Sequence, residues 1–446
     1  MKTKSKKQQS RDRKISRRDF IGSAVTTAAA FTIVPRHVLG GPGYTPPSEK
    51  LNIAGVGIGG QGNSDLQNLR SENIVALCDV DQEYAAKTYK LFPDAKHYVD
   101  YREMLEQQED IDAVLVATPD HTHAVIAMAA MKKGKHVYCQ KPLTRTIAET
   151  QALTEAARKY NIVTQMGIQI HATNAYRTAV EMMKSGAIGP IRKVHLWCNR
   201  GWGLGNIQRP PETPPVPKTL NWDLWLGPAP VRPYHPTYLP VDWRCWRDFG
   251  TASLGDMGCH IFDVAFWALD LKSPTSVYAY SSPFGEESFQ AASTVHYEFP
   301  ARGEMPPVEL TWYDGGMKPP RPQELDDSRD LPANGGLYIG ESGVLLVQHF
   351  GPAPQLLPRT RMKNYQPPEQ FLGRVESHYK EWVDGCKGGA KPSTNFDYAG
   401  PLSEAVLLGN VAVATGKKLY WDGKKVTNIP EANKFLQYNY RPGWTL

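Results

Sequence analysis

Apolar and polar residues follow one rhythm as far as residue 170 and another beyond it. Up to that point, short apolar runs at 53–56, 74–77, 111–117, 135–139 and 162–167 alternate with helical patterns at 63–69, 84–91, 100–107, 124–133 and 147–160. Runs without a polar face belong to strands covered on both sides. The alternation therefore predicts a doubly wound parallel sheet over residues 51–170. From 171 on, a helix at 175–185 leads to a strand at 191–198 and a polar, Pro-rich passage at 199–242 that carries Trp202, Trp222 and Trp225. Passages of that length are more often functional than idle. Strands are predicted at 276–281, 292–299, 308–313 and 336–347, a loop at 316–332, and helices at 370–386 and 402–416. That order fits a second, α+β domain over 171–446 with a mostly antiparallel open sheet and helices on one face.

The first strand runs into Gly57-Ile58-Gly59-Gly60-Gln61-Gly62, a G-x-G-x-x-G turn that opens a helix. Such a turn aims free N–H groups at a pyrophosphate and makes this half a Rossmann nucleotide-binding domain. The second strand ends in Cys78-Asp79-Val80-Asp81, which puts Asp79 twenty-two residues beyond Gly57. A carboxylate there accepts from ribose hydroxyls. Neither Lys nor Arg follows until Lys87, so a 2′-phosphate would meet negative charge, and NAD is read over NADP. Open α/β sheets bind ligands outside the carboxyl ends of their strands. Thr118, Pro119 and His121 at one such end, and Gln140 and Lys141 at the next, therefore join Gly57, Gly59, Gly60, Gln61, Gly62 and Asp79 as candidate cofactor residues.

Composition changes this picture in one respect. The chain carries a net charge of +6, but residues 1–40 hold ten Lys/Arg against Asp12 and Asp19, which leaves 41 basic and 43 acidic residues elsewhere, a net charge of −2. The basic balance belongs to the leader, and a nucleic-acid partner loses its support. Within the leader, Ser16-Arg17-Arg18-Asp19-Phe20-Ile21 precedes a small, weakly apolar run at 22–34 and resembles a twin-arginine export signal. Residues 1–40 are read as that signal, 41–50 as a linker, and the mature protein as exported or periplasmic without a membrane span. Six Cys, scattered along the chain, do not form a disulfide framework and are expected as free thiols.

Two further segments carry chemistry. In Asp242-Trp243-Arg244-Cys245-Trp246-Arg247, aromatic faces and guanidinium donors suit either a sugar platform, with Trp243, Arg244 and Arg247 as substrate contacts, or a packed structural loop. Asp256 and His260 lie four apart ahead of an apolar helical stretch reaching Leu271, so they share a face. They suit a general acid/base pair, or Asp256 serves only as a helix cap; two ligands are too few for zinc, and no metal is expected.

Together the glycine turn, the acidic strand end, Thr118-Pro119-Asp120-His121, Gln140-Lys141-Pro142, the Asp256/His260 helix and the segment Leu407-Leu408-Gly409-Asn410 resemble the glucose-fructose oxidoreductase and inositol dehydrogenase (Gfo/Idh/MocA) family, most closely its exported branch. The resemblance implies that Lys141 holds a reacting hydroxyl beside the nicotinamide. It implies that Asp256 and His260 orient and deprotonate that hydroxyl, and that subunits pair as a homo-oligomer through the open sheet. Gln140 stands where the family has Glu, which removes a negative charge beside Lys141 and leaves Lys141 competing with His260 as the base.

An exported enzyme cannot draw on dissociable NAD, so the cofactor is expected to stay bound. The expected activity is oxidation of a secondary hydroxyl on a sugar, polyol or glycoside, with a second sugar as acceptor. An alternative is redox-neutral glycoside cleavage, in which oxidation, elimination, water addition and reduction follow one another; it needs another base, for which His171, Tyr176, His121 and His123 qualify by position. A third reading, a non-catalytic sugar-binding protein, is opposed by the retention of Lys141, Asp256 and His260.

Overall fold

The computed structural model describes residues 46–446, so the twin-arginine leader and the first part of the linker lie outside the described residues. The first sheet is built from β1 (Asn52–Val56), β2 (Asn73–Cys78), β3 (Lys96–Tyr98), β4 (Ala113–Val116), β5 (His136–Cys139) and β6 (Thr164–Met166). All are parallel, in the order β3-β2-β1-β4-β5-β6. The strand order reverses between β1 and β4, and a ligand crevice opens at that switch point. Every side chain of β4 is buried, as its unbroken apolar run requires.

Helices α1 (Gln61–Asn68), α2 (Gln82–Leu91), α3 (Tyr101–Gln107), α4 (Asp120–Lys132) and α5 (Ile147–Lys159) connect these strands. Their starts are chemically marked. The Asp81 side chain accepts from the N–H groups of Glu83 and Tyr84. Thr146 and Glu149 form a reciprocal capping box at α5, which satisfies two otherwise orphaned donors. The edge strand β3 was not expected, because three largely exposed residues carry no apolar pattern.

Beyond α6 (Asn174–Lys184), the second sheet comprises β7 (Ile191–Trp197), β8 (Ser276–Ser281), β9 (Ser293–Phe299), β10 (Val308–Tyr313), β11 (Gly335–Gly340), β12 (Gly343–Gln348), β13 (Gln355–Leu357) and β14 (Leu419–Tyr420). Its order is β13-β12-β11-β7-β10-β9-β8-β14, and all its pairings are antiparallel except β7 with β10. The single strand expected at 336–347 is a hairpin: Gly340 pairs with Gly343, and the chain reverses through Glu341 and Ser342. Two apolar runs joined by a two-residue turn read as one run when the turn residues are not strongly marked.

Besides a five-residue helix at Arg359–Lys363, the remaining α-helices among the described residues are α7 (Trp222–Leu226), α8 (Ala252–Ala268), α9 (His378–Cys386) and α10 (Phe396–Thr415). The last two differ from expectation at their starts. Residues before α9 are tied to Glu181 instead, through Leu372 N–H and Arg374, and Ser377 caps the helix. Asn395 caps α10 six residues before Pro401, so the proline lies inside the helix and does not begin it. Burial of Phe396 and Ala399 outweighs the bond that the proline cannot donate. α10 packs on α5, α8 and β8, which joins the parallel half to the second sheet, and Leu51–Leu446 forms one compact unit. The expected boundary at 170/171 falls between β6 and α6. The six cysteines are free, and among the described residues no helix is long and apolar enough to cross a membrane.

Candidate active site

The crevice begins where β1 ends. Gly57 turns with φ 78°, and a Cβ there would stand 2.7 Å from the Thr118 nitrogen; one at Gly62 would stand 2.1 Å from the Gly57 carbonyl. Only glycine allows this approach of turn, neighbouring strand end and helix. No side chain caps α1, although Asn63 N–H already bonds the Gly60 carbonyl (3.2 Å), so an anion would meet the N–H groups ahead of it. The ring of Tyr84, from α2, lies across Gly59 and Gly60. At the end of β2, Asp79 Oδ2 accepts from Ile58 N–H (2.8 Å) and Oδ1 from Asp81 N–H (3.0 Å). Burial pushes its carboxyl up to about 6 despite those bonds.

A cavity opens from this turn, lined by Gly57, Gly59, Gly60, Gln61 and Asp79, by Thr118 and Pro119 beyond β4, and by Gln140 and Lys141 beyond β5. It is covered by Leu224 and Trp225 of α7, by Pro240, Trp243 and Arg244, and by Trp444. Asp79, Asp81 and Asp100 make one end acidic, while Lys141 and Arg244 make the other basic. The set fits NAD: bare backbone for a pyrophosphate, a carboxylate for a ribose, and, among the described residues lining the acidic end, no cation for a 2′-phosphate.

Five expected contacts, Gly62, His121, Arg247, Asp256 and His260, do not line the cavity. Gly62 packs against the turn, Asp256 and His260 lie behind Lys141 on α8, and the other two are packed elsewhere. His121 does not line the cavity; its Nε2 lies 2.9 Å from the Trp225 carbonyl, its ring packs on Trp225 and Phe249, and burial pushes it down to about 3, so it is a neutral packing residue. Arg247 does not line the cavity either. It lies over Phe284 and Phe289 and donates to the Ser288 carbonyl, whereas Arg244 and Trp243 face the cavity and stack on each other at 4.2 Å. The two readings of that segment thus divide along it, Trp243 and Arg244 at the cavity and Arg247 in the packed loop.

Lys141 meets α8 at the basic end. Its Nζ donates to Asp256 Oδ1 at 2.5 Å, and Arg244 Nε donates to the same oxygen at 3.0 Å. Trp202 Nε1 donates to Oδ2 at 2.7 Å, and Arg200 stands 3.9 Å away. Burial opposes the charge, but Lys141 and Arg244 hold the Asp256 carboxyl well below the usual carboxylate range. Asp256 lies inside α8 and caps nothing; the cap position is Thr251, which instead donates to Asp120. The neighbour that Gln140 does not supply is therefore present as Asp256, across the site.

His260 is one turn further along α8, with an unpartnered, buried Nδ1. It shares a face with Asp256, but no hydrogen bond joins them; Asp256 orients Lys141. Burial, then Lys141 and His349, keep the His260 ring neutral far below the usual histidine range. The Tyr176 hydroxyl lies 3.2 Å from the His260 carbonyl and 3.0 Å from His349 Nδ1, and the two histidine rings are 5.6 Å apart. Of the other expected bases, His171 is bound to Asp263 (2.9 Å) and stacked on Trp267, and His123 sits between the Pro142 and Thr118 carbonyls. Burial pushes His123 down to about 4, and a neutral ring donates to only one of those carbonyls. Neither reaches the site. Sequence reasoning missed Asp65, Arg200 and His349. Arg200 lies in the Pro-rich passage already marked for function; His349, after an apolar run, carries no local signal.

Comparison with known proteins places the chain in a family and supports its fold. The family model for the oxidoreductase family with an NAD-binding Rossmann fold matches residues 50–168, and the model for its C-terminal α/β domain matches 182–301. A levoglucosan dehydrogenase of Pseudarthrobacter phenanthrenivorans is 30% identical over 42% of this chain and 40% of its own length. An inositol 2-dehydrogenase of Salmonella typhimurium is 32% identical over 31% of this chain and 43% of its own. The chain thus spans less than half the length of these curated relatives. A dehydrogenase of Bordetella pertussis, solved with NADH and UDP-GlcNAcA, shares the fold at TM-score 0.59 and 14% identity, over 83% of this chain and 99% of that one.

Proposed function

Because the chain belongs to the Gfo/Idh/MocA oxidoreductase family, we propose that it oxidises a secondary hydroxyl of a sugar, polyol or glycoside with NAD that stays bound between turnovers. The observation that carries this reading is the Lys141–Asp256 pair at the basic end of the glycine-turn cavity, with a neutral His260 one turn away. NAD supplies the hydride acceptor. The Gly57–Gly62 turn and the start of α1 bind its pyrophosphate, and Asp79 a ribose. Lys141 holds the reacting oxygen and stabilises its developing charge, while Asp256 and Arg244 fix Lys141 in place. His260 takes the hydroxyl proton, which a ring kept neutral is free to accept. Trp243 and Arg244 bound the substrate at the rim.

Retention of the cofactor is supported by its cover, Trp225, Trp243 and Trp444, and by the Tyr84 ring over the turn. Denaturing the purified protein should release about one NAD per chain; protein that is empty after cytosolic expression would overturn retention. Incubation with inositols and anhydrosugars, followed at the NADH absorbance band, tests oxidation.

The Tyr176–His349 contact beside His260 favours keeping redox-neutral glycoside cleavage as the second reading, since it brings a second imidazole to the site. Cleavage of aryl glycosides without an added acceptor, with solvent deuterium entering the sugar, would favour it over net oxidation. Inertness of wild type and Lys141→Ala alike would favour a binding protein. Export through the twin-arginine machinery is proposed from residues 16–34 and tested by fusing them to a reporter that is active only outside the cytoplasm. A homo-oligomer through the second sheet is supported by the exposed Tyr280 and Tyr420 on β8 and β14, and is tested by light scattering.

A further inference from the structure

A carboxylate outside the mechanism lies under the junction of the two strand ends. Asp65, in the second turn of α1, is 0% exposed. Its Oδ1 accepts from the Tyr379 hydroxyl (2.6 Å) and Gln61 Nε2 (2.7 Å), and its Oδ2 from Gln140 Nε2 (2.7 Å). All three donors are neutral, and no ion pair joins Asp65 to a described residue. The cation that acts on it is Lys141, next in sequence to Gln140. Burial raises its pKa, against the three hydrogen bonds and Lys141. Gln61 and Gln140 both line the cavity, so they stand between Asp65 and the bound nucleotide.

We propose that Asp65, acting through Gln61 and Gln140, is the counter-charge that makes this site prefer oxidised to reduced nucleotide. A buried carboxylate with neutral donors is under-compensated, and a positive charge arriving beside Lys141 relieves that deficit. The oxidised nicotinamide brings such a charge and the reduced one does not. Coupling is reciprocal: whatever the positive ring does to stabilise ionised Asp65, ionised Asp65 does to retain the positive ring. Asp65 is a positioning and charge-setting residue; it touches neither nucleotide nor substrate. The inference rests on the proposed role of Lys141: a hydroxyl that Lys141 holds gives up hydride to the nicotinamide only if that ring lies beside Lys141.

The test is calorimetric titration of the charcoal-stripped full chain with NAD and, separately, NADH. Asp65→Asn should weaken NAD about tenfold, the order expected of one unit charge acting across a residue's width, and leave NADH within about twofold. The double variant Asp65→Asn/Gln140→Glu exchanges amide and carboxylate across the same contact and should restore the preference. Asp65→Ser is a second charge-free variant, should Asn at this position prevent folding, and the same change in ratio is expected. Equal weakening of both nucleotides, or no rescue by the double variant, would overturn the proposal and reduce Asp65 to a packing residue. Turnover of Lys141→Met reports on the placement of Lys141 independently: if that variant turns over normally, the reading beneath the proposal fails, whatever the ratio does.

Discussion

The two ends of the cavity are made in opposite ways. At the acidic end, β1, the turn, α1 and β2 lie within a single stretch of chain, and the bond that closes them, Ile58 N–H to Asp79, spans 21 residues. At the basic end, Lys141 and Asp256 are 115 residues apart, and Trp202, Arg244 and His349 come from three further segments. The first end is specified by what must be absent, since side chains at Gly57 and Gly62 would collide with backbone. The second is specified by charge, with one carboxylate shared among Lys141, Arg244 and an indole. Sterics can be encoded locally; an electrostatic site of this kind requires the finished fold.

The sharpest way to separate the ends is Lys141→Met, which should lower kcat by about 10³ while NADH binds within about threefold of wild type, as single-turnover and fluorescence titrations would read. Parallel loss of affinity would place Lys141 in nucleotide binding. The complementary change, Gly57→Val, forces a branched side chain into φ 78° and against Thr118. It should weaken NADH by about 100-fold and lower the melting temperature, as the strain cost implies. If affinity survives, the turn is not where the pyrophosphate binds.

Acidity distinguishes the bases. A base must be unprotonated, and burial lowers the pKa of His260, so its acid limb moves to lower pH. Consequently kcat/KM should change by less than about threefold between pH 8 and pH 6; an ordinary histidine, at about 6.5, would already cost more than that. A limb at or above 6.5 assigns proton transfer to another group. Trp444→Ala opens the cover at the acidic end and should weaken NADH by about fivefold, the size of a single aromatic contact. Arg247→Ala should leave kcat/KM within about twofold and lower the melting temperature by a few degrees, since Arg247 packs on Phe284 and Phe289.

How much the sequence disclosed follows the same division. The parallel sheet was legible because strands buried on both faces write unbroken apolar runs, and because glycine spacing names its own turn. Lys141, Asp256 and His260 were legible as motif positions, but their partners were not. Asp256 read as the companion of His260 because the two are four residues apart; its hydrogen bonds go to Lys141, Arg244 and Trp202, and nothing in local periodicity points there. His121 read as a ligand because it follows a strand end, yet a helix start turns it toward Trp225 and Phe249. Asp65 looked like any helical carboxylate until Gln61, Gln140 and Tyr379 closed over it.

The cover of the cavity also sets an order of events during synthesis. The residues that line its floor, Gly57 to Lys141, are made first, whereas Trp243 and Trp444 follow about a hundred and three hundred residues later. At roughly 5–20 residues per second, the floor waits on the order of 15–60 s for Trp444 to arrive. The roof is thus the last part of the lining to be made, and the cavity is covered only after Trp444 has left the ribosome.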